Sequence, residues 1–130
     1  MSTLRLTTLS NQGGTASVPS NTVINGTAKA WVNFNGTGTV AIRAAFNVSS
    51  ITDNGTGDYT VNFATAMVDA NYATSWNSGM KQVVWGLPLF AGLSGIGNSD
   101  SQSTTQVRVI ATSPQDAGVD NPQCSVVIFR

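Results

Sequence analysis

The chain has no histidine and no glutamate, and a single cysteine among its 130 residues. Each absence removes a class of chemistry. General acid and base work near neutral pH draws most often on His, or on a Glu or Lys of shifted pKa, so hydrolase triads and the common zinc sites lose their usual members. Cys124 has no partner for an intramolecular disulfide, and its place just before the apolar run 125–129 predicts a buried thiol. Charge is scarce as well. Arg5, Lys29, Arg43, Lys81, Arg108 and Arg130 balance Asp53, Asp58, Asp69, Asp100, Asp116 and Asp120, for a net charge of zero. So few cations cannot release many counterions from a phosphate backbone, which argues against nucleic-acid binding. No run approaches the ~18 apolar residues that cross a membrane. The opening Met1-Ser2-Thr3-Leu4-Arg5 lacks the apolar core of a signal peptide, so the chain is expected to fold and act without Sec-type export or membrane insertion.

What is present points to strands. The lack of Glu and the scarcity of Lys, beside abundant Thr, Ser, Asn and Gly, disfavour helices and favour short strands joined by turns. A mass of 13.5 kDa suits one domain of a size that oligomerisation often supplements, and low charge protects weakly against association. The expected organisation is an arm and linker over residues 1–25 and a β-domain over residues 26–130. Four glycosylation sequons begin at Asn25, Asn35, Asn47 and Asn54. In a chain this rich in Asn, Ser and Thr, turn chemistry accounts for them better than sugar attachment.

Asn-Gly-Thr-Gly occurs twice, at 35–38 and 54–57, each time between runs that alternate apolar and polar residues. Asn-Gly favours tight hairpin turns, whose central residues take positive φ. Ala30, Val32 and Phe34 should share one face opposite Trp31 and Asn33. Val40, Ile42, Ala44 and Phe46 should share a face opposite Ala41, Arg43 and Ala45, and the two runs should pair across the first turn. Residues 47–52 read as a strand or corner, and Tyr59, Val61 and Phe63 as the core face of a half-buried strand. Further strands are expected over 72–76, 82–87, 105–111 and 125–129, with turn clusters at 77–79, 95–103 and 113–122. The only helix candidate is a turn near 114–118. Seven or eight strands at this spacing predict an all-β fold, an antiparallel β-sandwich of jelly-roll type or a small barrel. Ahead of them, residues 3–9 read as a short strand with Leu4 and Leu6 on one face, and residues 11–25 as a linker. That first strand either docks on its own domain or adds to the sheet edge of a neighbouring chain; Leu4, Leu6 and Leu9 are its candidate contacts.

Few residues suggest a site. Asp53 with Asp58, and Asp116 with Asp120, are the available carboxylate pairs, yet both sit in Gly- or Pro-containing turns where Asp bonds to backbone. Residues 53–58 resemble a calcium loop in composition but lack the alternating ligands and distal Glu of an EF-hand, and Gly95-Ile96-Gly97 is no dinucleotide fingerprint. No cofactor is predicted. Residues 85–96 form an apolar stretch broken by Gly and Pro, with Trp85 at its start and Leu89 and Phe90 near its centre as candidate contacts. Such a loop either fills the core or meets another subunit, with ligand contact a third reading. Trp76 and Asn77 suit a carbohydrate-reading tip or a protein contact, or Trp76 is a core residue.

The run Ala28-Lys29-Ala30-Trp31-Val32-Asn33-Phe34-Asn35-Gly36-Thr37-Gly38-Thr39-Val40-Ala41-Ile42-Arg43, continued by Phe46-Asn47-Val48-Ser49-Ser50-Ile51-Thr52-Asp53 and Asn54-Gly55-Thr56-Gly57-Asp58-Tyr59-Thr60-Val61-Asn62-Phe63, resembles a module of tailed bacteriophages. Similar modules occur in fibre proteins and small virion proteins, notably of phages of cyanobacteria. The likeness spans residues 28–72, about a third of the chain. It implies a non-enzymatic virion protein made in the host cytoplasm, a homotrimer displayed on tail or head. A tail-fibre or short-fibre component would attach to other virion proteins through residues 1–25 and present loops to a host surface glycan or protein. A capsid decoration protein whose arm clamps neighbouring subunits is the second reading, and a free carbohydrate-binding module the third. A sugar-depolymerising enzyme using Asp pairs is a distant fourth.

Overall fold

The computed structural model describes residues 3, 5–79, 94–96, 102–111 and 118–130, with β8 defined by backbone alone. Two small strands, β1 (Thr8–Ser10) and β2 (Ser17–Pro19), precede a seven-residue helix α1 (Ser20–Gly26). Eight strands then follow: β3 (Ala28–Asn35), β4 (Ala41–Phe46), β5 (Val48–Gly55), β6 (Asp58–Phe63), β7 (Ala73–Gly79), β8 (Ser94–Ile96), β9 (Gln106–Ala111) and β10 (Gln123–Phe129). They form two four-stranded antiparallel sheets, in the orders β4-β3-β10-β7 and β5-β6-β9-β8. The fold is all-β and sandwich-like, as period-two alternation predicts. Neither sheet closes into a barrel.

Burial follows position in the sheet. Alternate residues of the central strands point inward: Ala30, Val32 and Phe34 of β3, Tyr59, Val61 and Phe63 of β6, Val107 and Val109 of β9, and Cys124, Val126 and Ile128 of β10. For β6 this is the face that the alternation assigns to the core, and for β3 it is the grouping of Ala30, Val32 and Phe34 on one face. Phe34 meets Tyr59 edge-on with ring centroids 5.2 Å apart, a geometry that sets the positive ring edge against a π face. Cys124 is buried as expected, and burial pushes its thiol up to about 11, so it is held neutral.

Both predicted hairpins form, but by a different turn chemistry. The expectation of positive φ at Asn35 and Asn54 is overturned, since Asn47 is the only described non-glycine residue with positive φ. In the first hairpin β3 ends at Asn35 and β4 starts at Ala41, so the connection is longer than a two-residue turn and its left-handed residue is Gly38 (φ 63°). Asn35 works through its side chain instead, accepting from the Thr37 hydroxyl at 2.8 Å and donating to the Thr37 carbonyl at 2.8 Å. In the second, Gly55 pairs with Asp58, which places Thr56 and Gly57 at the turn centre.

Asn47 (φ 53°) occupies the corner where the chain leaves one sheet for the other, between β4 and β5. Its amide donates to the Lys29 and Thr65 carbonyls at 3.0 and 3.1 Å, and its side-chain oxygen accepts from the Thr65 backbone N–H at 2.7 Å. One side chain thereby holds the start of β3, the sheet change and the end of β6 together.

Other expectations change. Arg43 is an extra residue in β4, because Phe34 pairs with Ile42 while Asn33 pairs with Ala44. This bulge breaks the single apolar face predicted for 40–46: Ile42 follows the inward Phe34, whereas Ala44 and Phe46 follow the outward Asn33 and Trp31. The turn cluster at 77–79 lies within β7, drawn into the ladder by pairing with 123–125. Gly95, assigned to a turn, pairs with Ile110. Residues 11–25 are not a plain linker, since β2 and α1 both lie there. The strand expected over 82–87 and the helical turn near 114–118 fall mostly or wholly outside the described residues. Among the described residues no helix is long and apolar enough to cross a membrane.

Candidate functional site

Three features stand out once the sheets are assembled: an arm with no core of its own, an uncovered edge strand, and a knot that ties both Asn-Gly-Thr-Gly turns to one segment.

The arm pairs with itself. Leu9 faces Val18 across the β1–β2 ladder, Ser20 donates to the Thr7 carbonyl at 2.9 Å, and Asn11 closes the loop by accepting from the Ala16 N–H. The strand expected over 3–9 starts only at Thr8, and it pairs with β2 rather than with the domain. Leu6 and Leu9 are exposed, Leu4 lies outside the described residues, and α1 buries none of its side chains, leaving Ile24 60% exposed. A two-stranded hairpin and a seven-residue helix are each marginal in water. Their apolar groups gain little until something covers them.

The edge strand β4 leaves all six residues exposed, Phe46 by 54%. Ala45 and Ile42 pair with the buried Val32 and Phe34, so they point toward the sandwich interior, yet the second sheet does not cover them. On the outer face Phe46 stands beside Trp31, which is 38% exposed, and Trp31 stands beside Val127. Among the described residues, Ala41-Ile42-Arg43-Ala44-Ala45-Phe46 is therefore an apolar strand with no partner on its free edge and with exposed side chains on both faces. Native edge strands are ordinarily blunted by charge, Pro or a covering element. Arg43 does not blunt this one, because its guanidinium turns back to the Phe34 and Pro122 carbonyls.

The knot lies at the turn end. The Asp120 carboxylate accepts from the Gly57 N–H at 2.8 Å, and the Tyr59 hydroxyl lies 2.8 Å from Asp120 and 2.9 Å from the Gly36 carbonyl, its proton shared between them. Gly36 N–H donates to the Asn121 carbonyl at 2.8 Å. Burial, and the carboxylate beside it, push the Tyr59 phenol well above its ordinary range, so it stays a donor. Asp120 thus holds backbone, as Asp in a turn is expected to do, and its predicted companion Asp116 lies outside the described residues. Asp53 and Asp58 also separate in role. Asp53 accepts from the Gly55 N–H at 3.0 Å, while Asp58 takes a two-pronged bond from Arg108. Among the described residues no three His, Cys, Asp or Glu side chains converge as a metal site would require.

The Arg108 hydrogen bond holds Asp58 below its ordinary value of 3.8, and Arg130 holds Asp69 down to about 2. Depressed carboxyl pKa values stabilise the fold above the unfolded value, and that contribution disappears as pH falls through the folded value. Thermal melting of the wild type is therefore expected to decline more steeply below about pH 4 than that of Asp58→Asn. Identical acid profiles would show that the Arg108 pair contributes nothing.

Of the residues singled out in the sequence, Trp76 is half-buried. Its ring stacks on Phe34 at 6.1 Å and its indole N–H donates to the Ile110 carbonyl at 3.3 Å, which joins the two sheets. These are the contacts of the core reading, and the turn expected at 77–79 is part of β7. Asn77 is exposed and pairs with Ser125. Trp85, Leu89 and Phe90 lie outside the described residues. The open β4 edge was not anticipated; the missed signal is that a bulge at Arg43 splits its apolar face. Compared with protein-family models, curated proteins and solved structures, the chain matches none of them.

Proposed function

We propose that this chain is a non-enzymatic structural protein of a tailed-phage virion, a tail-fibre or short-fibre component that assembles as a homotrimer and attaches through its N-terminal arm. The observation that carries this reading is the pairing of two apolar features in one small chain: an arm none of whose described residues is buried, and an edge strand that, among the described residues, is exposed on both faces. In a solitary monomer each is a liability. In an assembly, one copy's arm or edge covers another's, and repeated head-to-tail contacts that close give a ring such as a trimer. The resemblance of residues 28–72 to phage fibre modules supports the same assignment.

The test is light scattering of the full chain beside a variant lacking residues 1–25. The full chain is expected at three times the monomer mass. The truncated chain is expected to keep its strand-rich circular dichroism but to lose attachment to particles. A full chain that stays monomeric at high concentration, and binds glycans without its arm, would replace this reading with that of a free carbohydrate-binding module.

A further inference from the structure

Asn-Gly-Thr occurs three times, at Asn25, Asn35 and Asn54, so the local sequence gives these asparagines closely matched intrinsic reactivity. An asparagine before glycine is prone to an intramolecular reaction, because glycine offers no side chain to hinder approach of its amide nitrogen. The glycine nitrogen attacks the asparagine Cγ. A Cγ–N bond forms, the Cγ–Nδ2 bond breaks, and ammonia departs with the proton the glycine nitrogen gives up. Water then opens the succinimide. Breaking the new Cγ–N bond yields aspartate, and breaking the original peptide C–N bond yields isoaspartate, with an extra methylene in the main chain. Reaction needs a carboxamide free to rotate and a glycine N–H not held elsewhere.

The three sites differ in both respects. At Asn35 the carboxamide is held by Thr37 through its oxygen and its nitrogen, and the Gly36 N–H is committed to the Asn121 carbonyl at 2.8 Å in a buried setting. A succinimide cannot form there without opening the knot around Tyr59. At Asn54 the carboxamide donates to Thr60 at 2.8 Å and Asp58 at 3.2 Å, and the Gly55 N–H donates to Asp53, but these bonds are mostly exposed. At Asn25 nothing among the described residues is hydrogen-bonded to the carboxamide, and the residue is exposed. Gly26 has open space around it, and the restraints nearby are the last turn of a helix that buries no residue and the exposed bonds from Thr27 and Lys29 to the Val23 and Ile24 carbonyls. Such a helix opens locally at little cost.

We infer that Asn25-Gly26 is a spontaneous deamidation site, poised at the junction between arm and sandwich, while the same triplet at Asn35 is protected by the fold. The product places a negative charge at the C-terminal end of α1, where the helix dipole disfavours it, and an isoaspartate at position 25 shifts the backbone three residues before β3 begins at Ala28. Each copy would thus age at the segment joining arm to domain.

Incubating the full chain in mildly alkaline buffer, followed by peptide mapping with mass spectrometry, reads each site separately. Asn25 is expected to convert at least about tenfold faster than Asn35, with Asn54 between them, and the three rates should converge in denaturant, where local protection is gone. Asn25→Gln is expected to remove the fast conversion and leave the other two rates unchanged. Conversion led by Asn54 or Asn35, or equal rates in the folded protein, would overturn the inference. So would a fast phase that survives in Asn25→Gln.

Discussion

Replacing Gly57 with alanine is expected to cost more than about 4 kcal/mol, a large fraction of the roughly 5–15 kcal/mol by which native domains are stable. Two effects combine. Gly57 has φ 71°, a region that costs an L-residue roughly 1–2 kcal/mol. The added methyl would also lie within 3.0 Å of the Ala111 carbonyl and the Val119 N–H. Those groups bond to each other at 3.0 Å, and Gly57 itself accepts from the Ala111 N–H at 2.7 Å, so the methyl would enter a backbone junction with no flexible side chain to give way. Gly38 provides the control. It has nearly the same φ, 63°, but a Cβ there meets nothing within 4 Å, and Gly38→Ala is expected to lose only the backbone cost of about 1–2 kcal/mol. Equal urea midpoints for the two variants would refute the knot as a structural constraint.

Asn47→Ala is expected to lose about 2–4 kcal/mol, combining the left-handed backbone that Asn tolerates with three lost side-chain bonds. No local sequence rule separates Asn47 from the other asparagines of this chain, whereas the structure makes it the corner between sheets. Its effect should appear in the urea midpoint of the arm-deleted domain as well as the full chain, because Lys29 and Thr65, its partners, both belong to the sandwich. A loss below about 1 kcal/mol would show that the corner is held by the strands rather than by the side chain. Asn47→Gly, which keeps the backbone conformation and removes the bonds, separates the two contributions.

These two positions also explain where exposed apolar surface remains. The knot and the corner fix β3, β6 and β10, the strands that carry the core, while β4 is held by its ladder to β3 and by the Arg43 bonds to the Phe34 and Pro122 carbonyls, and among the described residues nothing pairs with its outer edge. The edge is left with Phe46 beside Trp31 on one face and Ile42 and Ala45 on the other. Covering that edge is a task for another chain, which is why the assembly test and the arm truncation belong together.

Period-two alternation is enough to locate most of the strands and, for 59–63, the inward face, because a strand's side chains alternate faces whatever it packs against. It also paired β3 with β4 and β5 with β6, since short connections make sequence neighbours into sheet neighbours. Edge positions were not legible in this way. The same alternation describes a covered and an uncovered strand, and only the sheet order β4-β3-β10-β7 leaves β4 outside. Asn-Gly-Thr-Gly marked the turns but not their chemistry. Identical sequences form a long connection around Gly38 and a two-residue turn at Thr56-Gly57, and both are tied to residues 118–122. The helix over 20–26 escaped notice because its residues have poor helix propensity and no apolar stripe to bury. Sequence by itself determined the fold class and, in the clearest strands, which residues share a face, because both depend on local periodicity. Tertiary structure alone decided which asparagine turns a corner, which glycine has no room for a methyl and which strand is left open, since each depends on contacts between residues far apart in the chain.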